Sequence, residues 1–283
     1  MADNTIKTTN TPYSFSPDQV VFTPDEAVPE ALILRASTVV TRTLDGDAPV
    51  ARIPWVNDAD AQFVAEGDFM EADTPTASEV VVGTAKISQL LRVSREQWHT
   101  NPAGSLLSNS TTRAVTRKAN EAFIAQPTGG AVPLTGIVNT EGVITGDPIT
   151  TNLDPLADAV AQIENNHGNP GIIIANPLAW GALRNLKTGG DANTSLLGAG
   201  TNDTDKRLLG VEVVTSAAVP EGQLIVVDPT AIASAVGPFE VFQSEHQYFE
   251  YDSIAIRATW RIGWAVQHAD RIAVIDVGTE PAA

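Results

Sequence analysis

Cysteine is absent from the 283 residues, which excludes disulfides, thiolate metal sites and cysteine nucleophiles. Lysine is scarce: Lys7, Lys86, Lys118, Lys187 and Lys206 stand against twelve arginines. No apolar run approaches the roughly 20 residues that a membrane helix needs, so no membrane contact is expected. The opening residues 1–19 have neither the basic start nor the apolar middle of a secretory signal, and a cytoplasmic site of synthesis is expected. Positive charge is in deficit, with 34 acids against 17 bases and a net charge of −17. Such a chain repels a phosphate backbone, which argues against reading nucleic acid but not against sitting beside DNA without adhering.

Sequence patterns of catalysis are missing too. His99, His167, His246 and His268 are scattered without any metal-binding spacing, and His167 beside Asn165 and Asn166 reads as a polar helix end. There is no nucleophile elbow and no phosphate loop; GVITGD (142–147) lacks the required Lys and hydroxyl and reads as a turn. Asp58-x-Asp60 opens like a calcium loop, but Phe63 and Phe69 stand where Gly and Glu are needed. Asp191-x-Asn193-x-Ser195 fails likewise, with Leu196 and Asn202 at those places. No catalytic residue, metal ligand or cofactor is expected.

What is present is a globular composition, 43% hydrophobic, long enough for a substantial core. Residues 1–28 are polar and Thr-rich, with Pro12, Pro17 and Pro24 and no helix or strand period; they read as a disordered tail or as an extended arm laid on a partner. A short helix and strand are predicted over 29–43, and a strand over 49–57 in which Pro54 marks an edge or a bend. Residues 80–93 alternate, with Val81, Gly83, Ala85, Ile87, Leu91 and Val93 on one face and Thr84, Lys86, Ser88 and Arg92 on the other. Between these strands lies DADAQFVAEGDFMEADTPTASE (58–79), with seven acids, no base, two Phe and one Met. The whole reads as a long hairpin with an acidic tip. A metal loop fails on position, and a lid has no catalytic site to cover, so an arm for another molecule remains.

Ser94 caps a short helix at 95–98, and 105–126 predicts a long helix. Its stripe is Leu107, Val115, Ala119, Ala122 and Phe123, with Arg113, Arg117 and Lys118 on the other side. The Gly/Pro stretch 127–142 marks a domain boundary. An alternation of helix and strand follows: a helix capped by Asp154, a buried strand at 171–175, a helix opened by Asn176-Pro177, and a polar loop at 188–205. Strands then follow at 211–216 and 223–228 around a VPEG turn, and at 239–245. In IAIRATWRIGWAV (254–266) the even positions from Ile254 to Val266 share one face and Arg257, Thr259 and Arg261 the other. Thirteen such residues span roughly 40 Å. A closing strand is read at 271–277.

Six stretches in this order resemble the major capsid protein of tailed bacteriophages, the Hong Kong 97-type fold family. They are ARIPWVNDADAQFVAEGDF (51–69), VGTAKISQLLRVSREQW (82–98), GIVNT (136–140), IIIANPLAWGALRNLK (172–187), LLGVEVVTSAAVPEGQLIVVD (208–228) and YDSIAIRATWRIGWAVQHADRIAVI (251–275). The resemblance implies an α+β, Hong Kong 97-like capsid fold with an N-terminal arm, an extended hairpin loop (E-loop), a peripheral (P) domain with a long spine helix, and an axial (A) domain. The implied division is arm 1–28, start of the P-domain 29–48, E-loop 49–93, P-domain with the long helix 94–135, A-domain 136–250, and a long P-domain strand with C-terminal return at 251–283.

The implied function is structural, not enzymatic: self-assembly as pentamers and hexamers into an icosahedral head enclosing double-stranded DNA, without sequence-specific binding. The expected location is the virion, after assembly in the host bacterial cytoplasm. Expected partners are further copies of the chain, a separate scaffolding protein, a portal and decoration proteins. Phe63, Glu66, Asp68, Phe69, Met70 and Glu71 at the hairpin tip are expected to contact a neighbouring subunit, with Arg113, Arg117 and Lys118 as basic partners there. One branch of the family forms Lys–Asn cross-links at this tip; residues 58–79 have no Lys, so none is expected. An encapsulin-type nanocompartment shell is the rival within the fold. An α/β enzyme built on 150–277, and a tail or decoration protein, are the rivals outside it.

Overall fold

The computed structural model describes residues 19–42, 44, 50–57, 76–98, 103–130, 132–187, 197 and 206–278. In chain order the first half holds β1 (Gln19–Phe22), α1 (Pro24–Ala27), α2 (Leu32–Arg35), β2 (Thr38–Thr41), β3 (Val50–Asn57), β4 (Thr76–Ser94), α3 (Arg95–Trp98) and α4 (Ala103–Ala125). The second holds β5 (Ile144–Thr145), α5 (Asp154–Asn165), β6 (Ile172–Ala175), α6 (Pro177–Asn185), β7 (Arg207–Leu208), β8 (Val211–Thr215), β9 (Gln223–Val227), β10 (Ile232–Tyr248), β11 (Ser253–Val266) and β12 (Ile272–Asp276).

Two six-stranded sheets organise the chain. The first runs β1-β10-β11-β4-β3, with β2 paired parallel to β10; the second runs β5-β12-β9-β6-β8-β7. β4, β10 and β11 have 19, 17 and 14 residues, which makes the first sheet a long blade. α4 covers one of its faces. Val115, Ala119, Phe123 and Ile124 of the helix are buried in one cluster with Ala258, Trp260, Ile262 and Trp264 of β11. Phe123 and Trp264 meet edge to face at 5.4 Å. Ile172, Ile174, Ile225 and Val227 of the second sheet join the same cluster, so one core ties both sheets together. α5 and α6 cover the other face of the second sheet through Leu156, Ile163, Trp180 and Leu183.

The stretch between α4 and the second sheet is held by GIVNT. A Cβ on Gly136 would lie 2.4 Å from the Gln126 nitrogen, so only glycine permits this approach. Asn139 donates its side-chain amide at 3.0 Å to the carbonyls of Ala125 and Gln126, satisfying acceptors left open at the end of α4. Trp264 Nε1 donates at 2.7 Å to the carbonyl of Thr135.

Several expectations hold at residue level. Ser94 Oγ accepts from the Gln97 N–H at 3.3 Å, and Asn176 Oδ1 from the Leu178 N–H at 2.9 Å, each at a helix start. β3, with Pro54, is an edge strand. His167 ends α5 with φ 57°, and the Gly168 N–H returns to the Ile163 carbonyl.

Others are corrected. Residues 19–27, assigned to an arm without regular structure, form β1 and α1; β1 pairs with β10 through Val20↔Val241, a ladder too short to show as periodicity. Asp154 is the first residue of α5 rather than its cap, and its carboxylate accepts from the Asn152 amide. The strands read on either side of VPEG are present as β8 and β9, but β6 lies between them in the sheet, parallel to β8 and antiparallel to β9. β10 begins at Ile232, seven residues before the strand expected at 239, because small residues and the irregularity at Gly237-Pro238 hide its alternation. In β4 the expected face holds from Ala85 to Val93, but Val82 and Thr84 are buried while Val81 is exposed. Val82 packs instead with Leu44, Ala51, Ile53, Ala233 and Ala235. Sheet membership also crosses the boundary drawn at 250/251: β10 belongs to the first sheet, and β12 is an inner strand of the second.

Candidate functional site

Among the described residues no group of His, Asp and Glu is arranged to hold a metal ion, and no helix is long and apolar enough to cross a membrane. Phe63, Glu66, Asp68, Phe69, Met70 and Glu71 lie outside the described residues, in the segment that joins β3 to β4. The strands leading to them form an antiparallel ladder from Val50↔Gly83 to Asn57↔Thr76. β4 leaves β11 at Thr84↔Gly263, so beyond that point the hairpin continues as two strands.

Arg113, Arg117 and Lys118 are exposed on α4, opposite its buried stripe, as helical spacing requires. Lys118 pairs with Glu121 at 3.5 Å. Arg113 and Arg117 line a groove of about 370 Å³ between α4, the turn at Ala27–Glu30 and residues Ser216–Ala218. Glu30 and Glu121 line it too, so acids balance bases there.

A second charged surface arises only from strand register. On the face of the long sheet away from α4, β4 presents Lys86 and Arg92, and β11 presents Arg257 and Arg261. Lys86 and Arg261 are direct cross-strand partners, an arrangement that places like charges side by side. Arg261 donates to Thr84 Oγ1 at 2.9 Å, and the Arg257 guanidinium lies 4.5 Å from the Phe242 ring centroid. A cavity of about 790 Å³ lies over this face, floored by Lys86, Glu240, Arg257 and Arg261 and walled by Val21–Asp25 and Leu44. Arg42, paired with Asp25, stands at its rim. Alternation in 80–93 and 254–266 placed each of these bases off the core face, but nothing in sequence set them opposite one another.

At the far end of the sheet, the β10–β11 turn presents Phe249 and Tyr251, both exposed. Arg92 stacks over Tyr251 at 4.6 Å, and Arg95 donates to Asp252 at 2.9 Å.

A family model described as the phage capsid family matches residues 24–277. No curated protein matches the chain in a sequence comparison. Solved structures do resemble it. One from Gordonia phage Cozz has a TM-score of 0.69 at 17% identity, covering 99% of this chain and 98% of that one. The capsid of an empty GTA particle, computed with C5 symmetry, has a TM-score of 0.67 at 15% identity, covering 99% and 95%. A virus-like particle from Pyrococcus furiosus has a TM-score of 0.56 at 15% identity, covering 89% and 98%. At these identities the likeness is one of fold.

Proposed function

Because the chain belongs to the phage capsid family and has the Hong Kong 97-like α+β fold, we propose that its copies assemble as pentamers and hexamers into an icosahedral head around double-stranded DNA. That it is a structural capsid protein follows from the family; the symmetry and the cargo are the proposal. The family match over nearly the whole described chain carries the reading. A net charge of −17 supports it, because a net negative subunit repels packaged DNA rather than trapping it.

On this reading the long sheet with α4 is the peripheral domain, and the second sheet with α5 and α6 is the axial domain. The β3–β4 hairpin is the E-loop, and its tip, Phe63 to Glu71, reaches a neighbouring subunit. A two-stranded ribbon is marginal by itself in water, so a supporting surface on another copy fits its length. A scaffolding protein, a portal and decoration proteins belong to the same reading, as does assembly in a bacterial cytoplasm.

The test is electron microscopy of purified particles combined with a nuclease-protection assay. Closed icosahedral shells with nuclease-resistant DNA are expected. Empty shells that protect no DNA would favour a nanocompartment instead. A monomer or small oligomer at every concentration would overturn the assembly reading.

A further inference from the structure

We propose that the exposed side of α4, built on Asn109, Arg113 and Arg117, is a contact surface for the sugar-phosphate backbone of duplex DNA. The inference rests on the assembly reading above and names the part of the subunit that meets the enclosed nucleic acid.

Charge points there first. Arg113, Arg117 and Lys118 are the only three bases of the chain that fall within six consecutive residues, and no acid stands between Glu96 and Glu121. All three bases are exposed. Lys118 is paired with Glu121 at 3.5 Å. Arg113 and Arg117 have no acid within 4 Å among the described residues, although Glu30 lies across the groove that they line. Two guanidinium groups one helical turn apart, about 6 Å along the axis, therefore keep their planar donors for an acceptor from outside.

The polar character of the surface points the same way. Helical spacing sets Asn109, Arg113 and Arg117 in one row and Ser110, Ala114 and Lys118 in the next, a strip about 14 Å long. Asn109 and Ser110 are exposed and carry the amide and hydroxyl groups that bond phosphate oxygens in protein–DNA contacts. Exposed large apolar side chains occur on β1, β2, β3, β4, α6 and the β7–β8 and β10–β11 turns, but on none of residues 107–125 of α4. A protein partner is held through desolvated aromatic and aliphatic anchors. A nucleic-acid backbone is met by a polar, basic and hydrated surface. The strip has the second character and lacks the first, which favours DNA over an acidic protein segment.

Strength is consistent with an enclosing role. The net charge of −17 opposes DNA over the subunit as a whole. Two arginines release few counterions, so a single copy binds weakly, with a salt slope of about −1.8. Such contacts, repeated over many copies, steady the outer turns of a packed duplex without pinning them. They go to the backbone and read no base sequence.

Two experiments on the full-length protein test this. In purified DNA-filled particles, ultraviolet cross-linking with mass spectrometry is expected to attach nucleotides to residues 107–126. Adducts confined to other segments, or none, overturn the inference. Below the concentration at which shells form, binding of a fluorescent duplex of about 20 base pairs is followed by anisotropy. A fourfold rise in salt is expected to weaken it about twelvefold. Arg113→Gln with Arg117→Gln is expected to remove that dependence while circular dichroism and shell yield stay unchanged. The same salt dependence in variant and parent overturns the inference. Loss of shells in the folded variant also overturns it, making an acidic protein surface the occupant. If the double variant unfolds, Arg117→Gln alone replaces it; its slope is expected to fall by about 0.9, and an unchanged slope overturns the proposal. Wild-type particles that protect no DNA overturn the reading on which this rests, whereas DNA-filled particles without cross-links to α4 overturn this inference alone.

Discussion

At the scale of single residues, the crossing between the two sheets depends on a few atoms. Gly136 lies so close to the backbone of Gln126 that Gly136→Ala must displace the end of α4. Urea unfolding of the unassembled subunit is expected to show a loss of about 1–3 kcal/mol, the usual size of an overpacking strain. Trp264→Phe keeps most of the buried ring but leaves the Thr135 carbonyl without its donor. A loss of about 1–3 kcal/mol is expected, with faster hydrogen exchange in residues 132–138. GIVNT was visible in sequence as a motif. Its cause was not, because the close approach of Gly136 to Gln126 and the two hydrogen bonds from Asn139 to the carbonyls of Ala125 and Gln126 are distances across a turn.

At the scale of elements, periodicity carried the prediction wherever one face is buried over many residues. α4 shows this: its stripe and its basic side were both legible. Phe123→Ala is expected to cost about 3–5 kcal/mol in the same unfolding measurement, while Arg117→Ala on the exposed side stays within about 0.5 kcal/mol of wild type. The first seven residues of β10 escaped for the opposite reason. Ile232 to Val236 are all buried, so no polar alternation exists to read, and Gly237-Pro238 looks like a turn where the ladder only shifts. β8 and β9 show a different limit. Each was identified, but the insertion of β6 between them is a matter of sheet order. β4 shows a third: its inward side changes between Thr84 and Ala85 because its first half packs on Ala233 and Ala235 while its second half packs under α4.

For the whole molecule, the predictions concern many copies. Phe69→Asp with Glu71→Lys is expected to prevent shells while leaving the unfolding midpoint of the subunit unchanged; normal shells would mean that the tip is not an anchor. Whole particles boiled in detergent are expected to run as a single monomer band, because residues 58–79 contain no Lys for a cross-link; a surviving ladder of multimers would contradict this. The sequence by itself determined the chain's acidity, the absence of thiol chemistry, the amphipathic helices and strands, and the order of segments that marks the family. These are properties of composition and of local period, and they persist whatever the chain packs against. Only the tertiary structure decided that β1 joins the long sheet, that β10 belongs to the long sheet and β12 to the second, and that Lys86, Arg92, Arg257 and Arg261 share one face. Those facts depend on strand register and sheet order, which are set by the summed packing of residues more than 100 positions apart and leave no local trace in the sequence.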